Sequence, residues 1–456
     1  MDSDVIAAVA TAWGESAIAV VRISGGGSLA LADKFFRGRR PLASAPARRM
    51  ELGLMTDGDS TVDEVLAVRF ERGFSYTGEE SVEIQCHGGA AAARRCMDIL
   101  TASGARAALP GEFTKRAYLN GRIDLSQAEA VLGIIRARSA EELASSERTL
   151  QGELSDALFH LSCGLTKLRA SIEARIDFPE DVDDAEAYEF VRETNAVRSE
   201  AGSLLERCRA GLALKNGIRA AIIGRPNVGK SSLMNAMLAS DRAIVTDIPG
   251  TTRDTLDAPL IHRGLVITLV DTAGLRTIPD EGASGVIESL GAARSRAAIA
   301  GSDLCVLVTD SSEGVIAEDA AAAEESEGKR TILALNKCDL ERSRPCAELT
   351  GDFAARVEVS ALTGQGIPEL KDALFELSVG SSSASSGLMS AERIIGALES
   401  ARRCVSEAGD ALGNPGGMDV AGSLLSEAAE HISAQLGIDA SEELLDEIFS
   451  SYCVGK

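Results

Sequence analysis

The segment Gly224-Arg225-Pro226-Asn227-Val228-Gly229-Lys230-Ser231 carries the sharpest chemical signal in the chain. It has the spacing GxxxxGK[ST], with the apolar run IRAAII before it and a helical pattern after it. Glycines at both ends permit a loop whose N–H groups wrap the β-phosphate of a nucleotide. Lys230 suits the β- and γ-oxygens, and the Ser231 hydroxyl, beside Ser232, suits Mg²⁺. Asp271-Thr272-Ala273-Gly274 follows the run LVITLVD; Asp271 is placed to hold Mg²⁺ through a water, and the Gly274 N–H to sense the γ-phosphate. Asn336-Lys337-Cys338-Asp339 follows TILAL. The Asp339 carboxylate can accept both the N1–H and the exocyclic amine of guanine. Adenine offers no such donor pair and would leave the carboxylate unpaired. Asn336 is expected on the N7/O6 side. Ser360-Ala361-Leu362, after RVEVS, is expected to give a backbone N–H to O6. Between the first two motifs, Thr246-Asp247-Ile248-Pro249-Gly250-Thr251-Thr252 sits where a nucleotide-sensing switch loop belongs, with Thr252 as a second Mg²⁺ ligand. A polar turn is the bland alternative for that loop.

These motifs need a particular scaffold. IRAAIIG, LVITLVD, LCVLVTD, TILALN and RVEVS are five short apolar runs separated by helical segments. Such alternation predicts a mainly parallel sheet with helices on both faces, and ligands outside the carboxyl ends of its strands. The segment 215–380 therefore reads as an α/β P-loop G domain. Residues 1–118 read as another α/β domain, with strands at AIAVVRIS and SVEIQCHGG and a helix at AAARRCMDILTASG. Residues 119–214 are helical by three-and-four apolar spacing, and 381–456 are helical again after the linker SSSASSG. Two helical stretches flanking an insert imply one discontinuous α-helical domain.

The bulk composition narrows the setting. The chain has 456 residues, 45% of them apolar and only 4% aromatic, too long for one core. Its net charge of -23 opposes non-specific adhesion to nucleic acid, although RNA could meet a local basic patch or a basic partner. Nine cysteines without a CxxC pair argue against zinc or a disulfide framework and for a reducing, cytoplasmic setting. The opening MDSDVIAAVA lacks a basic signal region, and no apolar run is long enough for a membrane helix. His87 reads as a core or turn histidine, and the acidic run from Glu180 to Asp184 as a solvated loop.

Ras-type G proteins place a Gln after DxxG to orient the attacking water; here Leu275 stands there. GRPNVGKSS, TDIPGTTRD, DTAGLR and NKCD resemble the TrmE-Era-type GTPases. The flanking VVRISG, SYTGEESVEIQCHGG, LPGEFTKRAYLNGRIDLSQAEAV, RIDFPED and FSSYCVGK are similar to the MnmE (TrmE) family in particular. That resemblance implies a tetrahydrofolate-binding, dimerising N-terminal domain and a homodimer. It implies an FAD-containing partner, MnmG (GidA), and an aminomethyl-type group placed on C5 of the wobble uridine of certain tRNAs. Methylenetetrahydrofolate is the implied carbon source. It implies K⁺ in place of an arginine finger, held by Asn227 and by Thr246, Ile248 and Thr251. The water-orienting Glu of the family best matches Glu288, with the additional TIPDEGASG before it. Formyl-tetrahydrofolate contacts match Arg22, Glu83, Arg122 and Lys456, and the tail cysteine matches Cys453. The opposing hypothesis is a regulatory or ribosome-assembly GTPase that modifies nothing. Such a factor should carry a basic RNA-binding domain. The acidic balance and the folate-matching flanks speak against it.

Overall fold

The computed structural model describes residues 4–177, 184–239, 257–271, 296–341, 349, 351–380, 386–414, 416–436 and 442–456. Two compact units result, Met1–Leu132 with Ser433–Lys456, and Gly133–Ile432. The first unit therefore takes in residues 119–132 and the last helix.

In the first unit, β1 (Ile6–Val9), β2 (Ile18–Ser24), β3 (Phe36–Gly38), β4 (Glu51–Asp57), β5 (Ser60–Phe70), β6 (Ser81–His87) and β7 (Arg106–Ala107) form one sheet, ordered β3-β4-β5-β6-β2-β1-β7. All its pairings are antiparallel except β1 with β7. Helices α1 (Ser28–Phe35) and α2 (Ala90–Ala102) add Leu31, Ala32, Ala93, Cys96, Ile99 and Leu100 to a core with Val21, Ile23, Val82 and Ile84. Strands β4 and β5 were not legible as apolar runs. On one face the register partners Leu52–Leu66 and Leu54–Glu64 stay at least partly exposed, while Met55, Val65 and Ala67 on the other face are buried, which is the pattern of a half-covered sheet. The unit also holds α3 (Glu112–Leu119), the start of α4 (Leu125–Arg136) and, late in the chain, Glu442–Ser450, where Leu445, Phe449 and Tyr452 close on Leu125 and Ala128.

In the second unit, α5 (Ala140–Leu150), α6 (Glu153–Asp177) and α7 (Asp184–Asn216) are long helices. On α6, Leu154, Leu158, Leu161, Leu165, Leu168 and Ile172 are buried at three-and-four spacing, which explains why the stretch reads as helix. The G part begins at Ile218. Strands β8 (Ile218–Ile223), β9 (Asp257–His262), β10 (Leu265–Asp271), β11 (Leu304–Asp310), β12 (Arg330–Asn336) and β13 (Ala355–Glu358) are ordered β13-β12-β11-β8-β10-β9. Five strands are parallel, as expected. The sixth, β9, was not anticipated: it pairs antiparallel with β10 through a turn at Arg263 (φ 48°) and Gly264 (φ 78°), and carries Pro259 on the sheet edge, where a missing N–H is tolerated. Helices α8 (Lys230–Ala239), α9 (Ala317–Glu325) and α10 (Ile367–Val379) cover the sheet. Beyond it, α11 (Glu392–Leu412) and α12 (Met418–Ser433) return to the long helices, so the G part is an insert within a helical framework. No helix among the described residues is long and apolar enough to cross a membrane.

The chain re-enters that framework through residues 386–390, which lie on α7. Leu388 N–H donates to Arg207 O (3.0 Å), Arg207 Nε to Ser386 O (2.9 Å), and Thr149 Oγ1 to Met389 O (3.0 Å). Gly211 permits this approach, since a Cβ there would stand 2.0 Å from Leu388 O. Gly to Ala within a helix normally stabilises by about 1 kcal/mol. Here Gly211→Ala is expected to reverse that sign and destabilise by about 1–3 kcal/mol in urea unfolding; equal or greater stability would remove the close approach.

Candidate functional site

Strand order in the G sheet reverses at β8, with β10 on one side and β11 on the other. The crevice at the carboxyl ends beside such a switch point is where doubly wound folds take ligands. Gly224-to-Ser231 fills it. Gly224 has φ 137°, and a Cβ would lie 2.3 Å from Val308 O; Gly229 has φ 97°, and a Cβ would lie 2.4 Å from Asn336 Nδ2. Only glycine fits either place. Asn227, at the exposed tip, holds φ 66°. Lys230 is 7% exposed, and its ammonium donates to Gly224 O (2.8 Å) and Arg225 O (2.7 Å), so its charge is folded back into the loop. The loop leads directly into α8, which begins at Lys230.

Ser231 Oγ donates to Asp271 Oδ2 at 2.8 Å, and Asp271 is 4% exposed at the end of β10. A hydroxyl and a carboxylate converging on the loop form a hard-oxygen donor pair of the kind Mg²⁺ takes. On the other side, Asn336 is 1% exposed. Its Nδ2 donates to Val228 O (2.7 Å) and its Oδ1 accepts from Ala361 N–H (3.0 Å). The residue expected against the base thus has both ends of its carboxamide engaged in joining two loops. Lys337, at φ 65°, donates to Asn227 O (3.2 Å) and to the Asp310 carboxylate. Asp339 is exposed, Ser360 is buried and its Oγ accepts from Thr363 N–H (3.1 Å), and Leu362 is 86% exposed at the rim. Thr246 to Thr252, Thr272 to Gly274, Leu275 and Glu288 lie outside the described residues.

Asp310 was missed by sequence reasoning. It ends the apolar strand LCVLVTD in parallel register with Asn336, a signal of the same kind as that at Asp271. Burial raises its pKa, but hydrogen bonds from Lys337 and Ser312 outweigh burial and hold the carboxyl below the ordinary range. Arg225 was also missed: its guanidinium meets Glu313 (2.6 Å) and the fully buried Asp319 (3.3 Å), anchoring the loop from outside.

A second cluster lies in the first unit. Arg22 on β2 and Glu83 on β6 are register partners, and Arg22 Nε donates to Glu83 Oε1 at 2.8 Å. The polar residue inside an apparently buried strand is therefore paired. Arg22 also stacks over Tyr76 (5.0 Å) and Phe113 (5.7 Å), and its Nη1 is buried without a hydrogen-bond partner. Arg122 reaches the Tyr76 ring at 5.7 Å. The final residues turn back onto this group: Gly455 (φ 96°) lies against Val9, where a Cβ would be 2.4 Å from its carbonyl, and Phe113 N–H donates to Lys456 O (3.2 Å). Burial, and then repulsion from Arg22, lower the Lys456 pKa, while Glu83 acts the other way. Cys453 is exposed in this turn, its carbonyl accepting from Gly111 N–H (3.4 Å). Thus four residues from distant parts of the sequence, Arg22, Glu83, Arg122 and Lys456, share one site, with Tyr76 and Phe113 as aromatic members that sequence reasoning did not pick. His87 is not in a core: it stands exposed at the end of β6, with Nδ1 2.7 Å from Asp63.

A mainly parallel sheet, a glycine phosphate loop at its switch point and a strand-ending Asn-Lys-x-Asp define a P-loop nucleotide-binding domain of the guanine-specific class. The profile of the GTP-binding protein TrmE N-terminus matches residues 5–122, and that of the MnmE helical domain residues 125–453. The tRNA modification GTPase MnmE of Moorella thermoacetica is 40% identical over 100% of both chains, and that of Shouchella clausii is 38% identical over 100% of both. The G domain of the T. maritima FeoB iron transporter is 29% identical over 35% of this chain and 98% of that chain, at a TM-score of 0.26. The chain belongs to the MnmE family, and with that family it is a GTPase that binds GTP and Mg²⁺.

Asn336→Ala separates bracing from base contact. Loss of the brace leaves Val228 O and Ala361 N–H unpaired, at roughly 1–3 kcal/mol each. The variant should unfold at lower temperature with no nucleotide present and bind GTP and GDP equally weakly. An unchanged melting point with weakened nucleotide binding would assign Asn336 to the base alone.

Proposed function

We propose that this chain hydrolyses GTP to drive folate-dependent modification of C5 of the wobble uridine, position 34, in certain tRNAs. It does so as a homodimer with the FAD-containing MnmG (GidA), in the cytoplasm, and adds a carboxymethylaminomethyl-type group. The observation that carries this reading is the return of Lys456 to Arg22 and Glu83, where Arg22 and Arg122 both stack over Tyr76. Guanidinium and ammonium groups suit the glutamate carboxylates of a 5-formyl- or 5,10-methylene-tetrahydrofolate, and a carboxylate suits the pterin amine and ring N–H. The Nη1 of Arg22, buried without a hydrogen-bond partner, is a donor that a bound anion would satisfy. The folate supplies a one-carbon unit when bound; Arg22, Glu83, Arg122 and Lys456 would orient it. Cys453, exposed in the same docked turn, is a candidate participant in the chemistry.

In the G domain, Val228, Gly229, Lys230, Ser231 and Ser232 would hold the phosphates, with Lys230 turning from the loop carbonyls to the β- and γ-oxygens. Ser231 and Thr252 would ligate Mg²⁺. The Asp339 carboxylate would select guanine, with Asn336, Lys337, Ser360, Ala361 and Leu362 framing the base. Asp271, Thr272, Ala273 and Gly274 would read the γ-phosphate. The carboxamide oxygen of Asn227, on the exposed loop tip, is a hard donor suited to K⁺, with Thr246, Ile248 and Thr251 as its companions. Glu288 would orient the attacking water that no Gln is present to orient. Outward Ile18 (51% exposed) and Leu52 (59%) give the N-terminal sheet an apolar face suited to a second copy.

A cation beside the phosphates offsets developing charge. GTP turnover in K⁺ should therefore exceed that in Na⁺ by roughly tenfold or more at equal ionic strength; equal rates would rule out the potassium assignment. Deletion of the gene should abolish the modified wobble uridine in tRNA nucleosides measured by mass spectrometry. An unchanged nucleoside profile would refute the modifying role.

A further inference from the structure

A net charge of -23 is an awkward property for a protein that handles tRNA, because the overall field repels the substrate. One groove gathers basic side chains. It has a volume of about 710 Å³ between α7 and α11, and Asn195, Arg198, Gly202, Arg402 and Arg403 line it. Below it the two helices are joined by buried Ala201, Leu205, Cys208, Leu398, Ala401 and Val405. Gly202 adds no side chain to the floor, and the Arg402 stem passes within ordinary contact distance of it.

Arg198, Arg402 and Arg403 are all exposed, and none makes an ion pair or hydrogen bond among the described residues. The one carboxylate in the lining, Glu399, is taken by Arg209 at 2.7 Å, and Glu206 also holds Arg209, at 2.9 Å. Glu200 and Glu407 sit on the same helices but outside the lining. Three free guanidinium forks therefore face one concavity with its only acid neutralised. The lining has no aromatic or large apolar side chain on which a base or small ligand could rest. What such a surface grips is phosphate, by charge-assisted and bidentate hydrogen bonds.

We propose that the α7–α11 groove is a docking site for the phosphate backbone of tRNA. Contacts of this kind position a nucleic acid and carry no sequence information, so the groove would orient tRNA for a site elsewhere. The proposal rests on the reading of the chain as a tRNA-modifying enzyme and adds to it a place of contact.

The test is binding of labelled tRNA to the full chain by fluorescence anisotropy over a KCl series, with the triple variant R198E/R402E/R403E beside the wild type. Each phosphate contact contributes about 0.7–0.9 to the slope of log affinity against log salt. The triple variant should bind at least ~10-fold more weakly at low salt, with a slope smaller by about 2, and retain its tRNA-independent GTP hydrolysis. If charge reversal also lowers GTP hydrolysis, the milder R198Q/R402Q/R403Q variant decides by the same change in slope. Unchanged affinity and slope would overturn the groove, as would a wild type with no salt-dependent tRNA binding. Loss of binding to a protein partner with tRNA binding intact would overturn it too. Unchanged tRNA binding by the variant, together with loss of the wobble modification on gene deletion, would reject the groove and leave the modifying role standing.

Discussion

The carboxamide of Asn336 couples the phosphate loop to the base-side loop, and the remainder of the nucleotide crevice depends on that coupling. Its nitrogen holds Val228 O and its oxygen holds Ala361 N–H, at the end of a strand buried on both faces. The approach is so close that Gly229 has no space for a Cβ. Lys337 repeats the coupling one residue later, from Asn227 O to the Asp310 carboxylate. Loops from β8, β11, β12 and β13 are therefore linked to one another by protein groups alone. Such preorganisation lowers the ordering cost that binding would otherwise carry.

The first unit solves a different problem by a similar route. A cross-strand pair, Arg22 with Glu83, sits under two aromatic rings, and the last residues of the sequence are drawn over it. Tails are ordinarily the least ordered part of a chain. This one is held by Phe449 and Tyr452 in a small apolar cluster and by backbone hydrogen bonds to Gly111 and Phe113. Gly455 makes the last approach to Val9 sterically possible. Burial lowers the Lys456 pKa, and the neighbouring Arg22 guanidinium lowers it further.

Much of the G domain was legible in the chain itself. Short apolar runs alternating with helices announce a parallel sheet, and GxxxxGK[ST] and NKxD announce what its strand ends do, because each motif is local. The long helices were legible for the same reason, through the spacing seen on α6. Strands with one covered face, such as β4 and β5, and the edge strand β9 with its Pro259, gave no such signal. Their residues answer to neighbours remote in sequence.

Residue types and local spacing determined the phosphate loop, the guanine motif and the family to which the chain belongs. Only the tertiary structure decided that Asn336 is a brace, that Asp310 and Arg225 support the loops, and that Tyr76 and Phe113 join Arg22, Glu83 and Lys456. It also decided that Arg198 on α7 meets Arg402 and Arg403 on α11. The physical reason is common to all of them. A backbone loop is shaped by its own residues, whereas the partner of a buried amide, the stacking of a guanidinium and the local sign of an electric field are set by whatever the fold brings alongside.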